Sequence, residues 1–298
     1  MTEQSGEATA ATVPVTREWK IARRTLSLGE RTLIMGVLNV TPDSFSDGGQ
    51  FYTPGQARAR AHELIEEGAD IIDVGGESTR PGAEPVTAEE ELRRIVPVIE
   101  DLAKNIEIPI SVDTTKREVA RAALEAGAEI INDISALRFD FYIADEVAKA
   151  GAGLVLMHSR GTPATMHRLP PVPEILEVVT RSLRSSIAMA AQRGVTARQI
   201  VLDPGIGFGK SPAQNVELIA GLAEFARRFH EFPILVGTSR KSFIGRILDG
   251  APVEDRIHGT MASVTAAVLN GADIVRVHDV RAARETVRVA DAIRRAAH

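Results

Sequence analysis

Short apolar runs recur along this chain in alternation with amphipathic stretches. The runs fall at Leu33–Leu38, Ile71–Val74, Ile108–Val112, Ile130–Asn132, Gly153–Met157, Ile200–Leu202, Ile234–Val236 and Ile274–Val277. Brief apolar runs of this kind are what a strand buried on both faces looks like in sequence. Between most of them lie stretches rich in Ala, Leu, Glu and Arg, among them Gln56–Glu67, Ala88–Leu102, Arg117–Ala126, Ile175–Arg193 and His258–Leu269. These read as helices. Several end alike: Glu67-Gly68-Ala69, Ala126-Gly127-Ala128, Ala150-Gly151-Ala152 and Asn270-Gly271-Ala272 each lead from a helix into a strand. Glycine there suits the left-handed helix cap. A repeated strand–helix unit predicts a parallel sheet with crossover helices, and eight of them predict an α/β fold of the (β/α)8 TIM barrel type. The rival, an open doubly wound sheet, usually carries a glycine-rich turn after its first strand, and Gly36-Val37-Leu38-Asn39 is not one.

Before the alternation, Trp19–Ala22 and Arg31–Leu33 flank a turn near Gly29 and predict a short hairpin. Residues 1–17 read as a flexible tail, and residues 18–298 as one barrel domain, since no linker divides them. Composition narrows the class. Charged residues make up 25% of the 298 and the net charge is -5, which argues against a nucleic-acid partner. With no cysteine, thiolate nucleophiles and cysteine-ligated metals are excluded. No apolar run approaches the ~20 residues of a membrane span, and the N-terminus lacks a secretory signal. The cytoplasm is therefore the expected location, and a C2 homodimer the expected assembly.

In such a barrel the strand-to-helix loops gather at one end and carry the chemistry. Here they are polar. They run Asn39 to Gly49, Asp73 to Gly82, Asp113-Thr114-Thr115, Asn132-Asp133, Met157-His158-Ser159-Arg160, Asp203 to Lys210, Gly237 to Ser242, and Arg276-Val277-His278-Asp279. Each also has a plain structural reading. Asp113-Thr114 and Asn132-Asp133 suit helix N-caps. Gly205, Gly207 and Gly209 suit a tight turn. Arg240 and Lys241 suit a solvated pair, His278 a hydrogen-bonded core histidine, and Phe45 a residue packed under its own loop. A barrel, however, brings Asp73, Asp113, Asp203, Lys241, Arg276 and His278 to one mouth. That many charges are costly to bury unless they pair with one another or with a ligand.

The ligand chemistry follows from the groups. Lys241, Arg240 and the glycine-rich backbone suit an anion such as phosphate. A carboxylate accepting two parallel N–H bonds suits the edge of a 2-amino-4-oxo pyrimidine. Asn39, with water and phosphate oxygens, suits Mg²⁺. No spacing supports zinc, and there is no G-x-S-x-G elbow.

Five ordered motifs resemble the dihydropteroate synthase family: Met35 to Gly49, Asp70 to Gly82, Leu202 to Lys210, Ser239 to Ser242, and Arg276 to Val280. The resemblance spans about Leu33 to Val280. It implies a pterin-binding TIM barrel that condenses 6-hydroxymethyl-7,8-dihydropterin pyrophosphate with 4-aminobenzoate, giving 7,8-dihydropteroate and pyrophosphate in folate biosynthesis. It implies that Asp113, Asn132, Asp203 and Lys241 hold the pterin, with Met157 lining its pocket. Arg276, His278, Thr79 and Arg80 would bind the pyrophosphate, and Asn39 would contact Mg²⁺. Phe45, Pro81, Phe208 and Ser242 would shape the aminobenzoate site. Asp113, Lys241 and Asn39 would carry the catalysis, and sulfonamides, which mimic the aminobenzoate, would inhibit.

The chain departs from the family's pattern at Ser159-Arg160, where Met-Gln is usual, at Gln214, where His is common, and over Ala136–Phe141. Two other readings compete. A methyltetrahydrofolate-type methyl transferase shares barrel and pterin pocket but has no need of Ser239-Arg240-Lys241 or the long first two loops. A catalytically inactive pterin-binding paralogue would keep the motifs without turnover.

Overall fold

The computed structural model describes residues 16–41, 53–78 and 83–297. A two-stranded antiparallel hairpin, β1 (Arg17–Lys20) and β2 (Thr25–Leu28), precedes eight parallel strands: β3 (Leu33–Asn39), β4 (Ile71–Gly75), β5 (Ile110–Asp113), β6 (Ile130–Asp133), β7 (Gly153–Met157), β8 (Ile200–Asp203), β9 (Leu235–Val236) and β10 (Ile274–Val277). They neighbour one another in the order β8-β7-β6-β5-β4-β3-β10-β9. A parallel bridge between Leu202 and Ile234, with Leu202 N donating to Pro233 O at 2.9 Å, joins the two ends. The expected TIM barrel is thus present.

Helices α1 (Pro54–Glu67), α2 (Ala88–Asn105), α3 (Arg117–Ala126), α4 (Ile143–Ala150), α5 (Ile175–Gln192), α6 (Pro212–Ala220), α7 (Leu222–Arg228), α8 (Ser242–Ile247), α9 (Ile257–Leu269) and α10 (Val280–Ala296) connect the strands. Helix α1 starts earlier than its apolar pattern because Pro54 fits the first helical position, and Thr53 and Gln56 cap each other there. Its end is the expected one: Gly68 takes φ 111° and donates its N–H back to the last turn.

Strand alternation divides the core in two. Side chains on one parity face the helices and form the larger cluster, for example Ile34, Ile72, Val112, Ile131, Leu154 and Leu202. The other parity fills the barrel: Leu33, Met35, Ile71, Ile130, Val155, Val201, Leu235 and Ile274. Trp19, Ile21 and Leu28 of the hairpin join this inner cluster and close the lower end. Trp19 is fully buried and its Nε1 donates to Gln199 O at 2.9 Å. A Cβ on Gly153 would stand 2.7 Å from Ile21, so the absence of a side chain at the start of β7 lets the plug in.

The hairpin differs from the expected one. Its turn lies at residues 21–24, where Ile21 N donates to Arg24 O at 2.9 Å, and Trp19 pairs with Leu26. Gly29, with φ 105°, instead swings the chain from β2 toward β3, so Arg31–Leu33 is not the second arm. Of the expected tail, residues 1–15 lie outside the described residues, and Arg17 is already in β1, paired with Leu28.

Candidate active site

The inner parity that carries apolar groups at the bottom carries polar ones at the top. Two residues above Ile71 comes Asp73, above Ile130 comes Asn132, above Val155 comes Met157, above Val201 comes Asp203, and above Ile274 come Arg276 and then His278. The period of two therefore aims each of these side chains into the barrel mouth. Register does the rest. Asn39 lies opposite Gly75, Gly75 opposite Asp113, and Asp113 opposite Asn132, while Met157 lies opposite Asp203.

At the centre, Arg276 Nε donates to Asp73 Oδ2 at 2.6 Å and Nη2 to Asp113 Oδ2 at 3.0 Å. Asn132 Nδ2 also donates to Asp73 Oδ2, at 3.1 Å. Asp73 is wholly buried and its Oδ1 has no hydrogen-bond partner among the described residues. Two carboxylates sharing one guanidinium leave a surplus of negative charge in a desolvated place, and the proton affinity responds. Burial, helped by nearby Asp73 and opposed by Arg276, pushes Asp113 up to about 7. Burial also raises Asp203, with Lys241 opposing.

On the opposite wall, the 204–209 loop folds back on itself. Gly205, Gly207 and Gly209 take φ of 69°, 86° and 68°. A Cβ on Gly205 would collide with the carbonyl of His158, so only glycine fits. Gly205 N donates to Asp203 Oδ1 and Gly207 N to Asn215 Oδ1, both at 2.6 Å. The Lys241 ammonium donates to the Ile206 carbonyl and stands 4.6 Å from the centre of the Phe208 ring. Burial brings Lys241 down to about 8, against the pull of Asp203.

Comparison with known proteins fits this geometry. The family described as pterin binding enzyme matches residues 35–278. A dihydropteroate synthase of Synechocystis is 48% identical over 265 residues, covering 89% of this chain and 91% of that protein. The chain belongs to the pterin-binding enzyme family. Among solved structures, a Yersinia pestis dihydropteroate synthase in complex with a sulfonamide drug has TM-score 0.87 and 40% identity, covering 94% of this chain and 99% of that one. A Xanthomonas albilineans dihydropteroate synthase with 4-aminobenzoic acid has TM-score 0.86 and 43% identity, covering 94% and 98%.

Within this pterin-binding enzyme, Asn39, Asp113, Asn132, Met157, Asp203 and Arg276 share the inner face of the mouth. Lys241 and Phe208 face each other at its β8–β9 rim. Ser242 is exposed at the start of α8, next to Lys241. His278 is partly buried, with its Nδ1 2.9 Å from Ser239 Oγ, beside a cavity of about 320 Å³ that also touches Asp279 and Arg281. A second cavity, of about 260 Å³, opens next to Asp113 between Thr114, Ile134 and Phe139. Phe45, Thr79, Arg80 and Pro81 lie outside the described residues.

Three readings change. Arg240 is not solvated alone: it makes a two-bond ion pair with Asp279, at 2.8 and 2.5 Å. The glycine loop does not present its amides to an anion, because Asp203 and Asn215 already accept from Gly205 and Gly207; it presents carbonyls inward to lysines instead. Asn132 and Asp133 part company. Asp133 accepts from the backbone of Ser135 and Leu137 at 2.8 and 2.6 Å and is a loop cap, while Asn132 belongs to the site.

Residue-type reasoning put Asp73 at the mouth but gave it no partner; it holds both Arg276 and Asn132. A charged residue inside an otherwise apolar strand was its signal. It also missed Lys116, whose ammonium lies 2.5 Å from both Glu77 and the wholly buried Glu91. Among the described residues no group of three or more His, Asp or Glu side chains is placed to hold a metal.

Proposed function

We propose that this chain is a dihydropteroate synthase, a transferase of folate biosynthesis. In this reading it condenses 6-hydroxymethyl-7,8-dihydropterin pyrophosphate with 4-aminobenzoate. The observation that carries it is the Asp73–Arg276–Asp113 cluster at the bottom of the mouth, with Asn132 beside it and Lys241 over Phe208 at the rim. Such a floor offers carboxylate and amide partners to a flat heterocycle with several N–H groups. The 48% identity to a dihydropteroate synthase, and the 4-aminobenzoic acid held by the Xanthomonas protein, support the same choice of substrates.

Asp113, Asn132, Asp203 and Lys241 accept from or donate to the pterin edge, with Met157 against its face. Arg276 and His278 face the pyrophosphate, joined by Thr79 and Arg80. As the carbon–oxygen bond breaks, its electron pair leaves with the pyrophosphate, and Asp113 stabilises the positive methylene left behind. The aromatic amine then bonds to that carbon and gives up a proton. Lys241, Phe208, Ser242, Phe45 and Pro81 hold it in line.

The donor set fits Mg²⁺ only as a partner of substrate. Asn39 offers one neutral oxygen, and no cluster of protein carboxylates among the described residues completes a shell. Asn39 would therefore hold Mg²⁺ together with pyrophosphate oxygens, where the ion would neutralise charge on the leaving group. Sulfonamides compete with 4-aminobenzoate in this reading, in keeping with the Yersinia complex. We place the protein in the cytoplasm as a homodimer. No described helix is long and apolar enough to cross a membrane.

The test is to incubate the purified protein with both substrates and Mg²⁺ and to measure pyrophosphate and dihydropteroate together. Equal release of both is expected. Tight pterin binding without release would identify an inactive paralogue, and binding of methyltetrahydrofolate instead would identify the methyl transferase.

A further inference from the structure

Two lysines grip the 204–209 loop through different carbonyls. Lys241 approaches from the mouth and donates to the Ile206 carbonyl. Lys210 takes three other carbonyls. Its ammonium donates to Gly205 O at 2.7 Å, to Phe208 O at 3.1 Å and to His158 O at 3.2 Å. The first two carbonyls belong to the loop and the third to the residue that follows β7, so one charge ties the two segments together. An ammonium has three N–H donors, and all three are engaged. The left-handed glycines turn these carbonyls inward, and Arg160 Nη1 adds a second tether to Gly209 O at 3.0 Å. Burial draws the Lys210 proton affinity well below its ordinary value, with Asp203 opposing.

The two grips differ in what they leave free. Lys241 is the lysine assigned to substrate; one of its three N–H groups goes to Ile206 O, which leaves donors for a substrate. Lys210 is assigned to no substrate and has all three N–H groups on backbone carbonyls. We propose that Lys210 is a positioning residue for the aminobenzoate half of the site: it holds Gly205 and Phe208 against the residue that follows β7 while Lys241 serves substrate. This rests on the reading of Phe208 and Lys241 as the aminobenzoate wall. Lys210 itself touches no substrate.

The experiment is steady-state kinetics on Lys210→Met and Lys210→Arg in the full chain, with each substrate varied in turn. Loss of one charged donor to three carbonyls is expected to raise KM for 4-aminobenzoate roughly tenfold in Lys210→Met. KM for the pterin pyrophosphate should stay within about twofold, and Lys210→Arg should recover part of the loss. Equal changes in both KM values, or none, would overturn the proposal. Should Lys210→Met not fold, hydrogen exchange on the unaltered protein decides instead. The Gly207 and Phe208 amides should stay protected with and without bound pterin, and faster exchange on binding would count against this anchor. Failure of the unaltered protein to form dihydropteroate would refute the proposed function; an active protein whose Lys210→Met variant keeps both KM values refutes only this inference.

Discussion

Arg276 Nη2 lies 3.0 Å from Asp113 Oδ2, although their strands β10 and β5 are separated by β3 and β4. The same guanidinium holds Asp73 at 2.6 Å. One cation thus serves two buried carboxylates, and the second carboxylate is left under-neutralised. Replacing Asp113 by Asn removes the charge and keeps the shape. Pyrophosphate release by Asp113→Asn should slow by about 10²-fold or more, as when a preorganised electrostatic partner is lost. Its circular dichroism should match the parent. Near-normal turnover would remove Asp113 from the mechanism.

The pH–rate profile should be a narrow bell. Asp113 loses its proton near 7 and Lys241 near 8, so the ionised carboxylate and the ammonium coexist only around that interval. Measured kcat/KM should rise through about 7 and fall above about 8. In Asp113→Asn the acid limb should disappear. Stability moves the other way. Between the ordinary 3.8 and about 7, the folded protein keeps a proton on Asp113 that the unfolded chain has lost. Folding stability from this group therefore falls as pH rises across that window and levels off above it. Asp113→Asn should flatten that slope in denaturant titrations.

Gly205 tests the loop. At φ 69° any side chain is strained, and a Cβ there meets the His158 carbonyl. Gly205→Ala must push the loop off β7, moving Phe208 with it. Turnover should fall by about 10²-fold, the scale of a misplacement of roughly 1 Å. A Gly205→Ala enzyme with parental KM for 4-aminobenzoate would show that the loop's seating is not needed.

Trp19 tests the opposite end. It is fully buried within the inner cluster and is the one tryptophan of the chain. Trp19→Ala should cost about 3–5 kcal/mol and lower Tm by several degrees in calorimetry. The folded remainder should keep its KM values, because the mouth lies at the other end of the strands.

Much of this was legible in the sequence, and for identifiable reasons. Strands β7 and β10 match their apolar runs end to end, because a strand buried on both faces is bounded sharply by polar or glycine residues. Helix α3 likewise matches Arg117–Ala126, closed by Gly127. Site residues on the strands were legible because the period of two is fixed by the backbone. Partnerships were not. Nothing in a one-dimensional pattern says that Asp73 will meet Arg276 across the barrel, or that Asp279 will occupy Arg240. The hairpin failed because Gly29 marks a turn without saying which one.

The hairpin also sets a rule of traffic. With Trp19, Ile21 and Leu28 stopping the lower end, the barrel opens, among the described residues, at the strand tips. On the proposed function, a pterin on Asp113 and Asn132 would then be expected to arrive before an aminobenzoate that rests on Phe208. Order of addition is then a property of the plug as much as of the mouth.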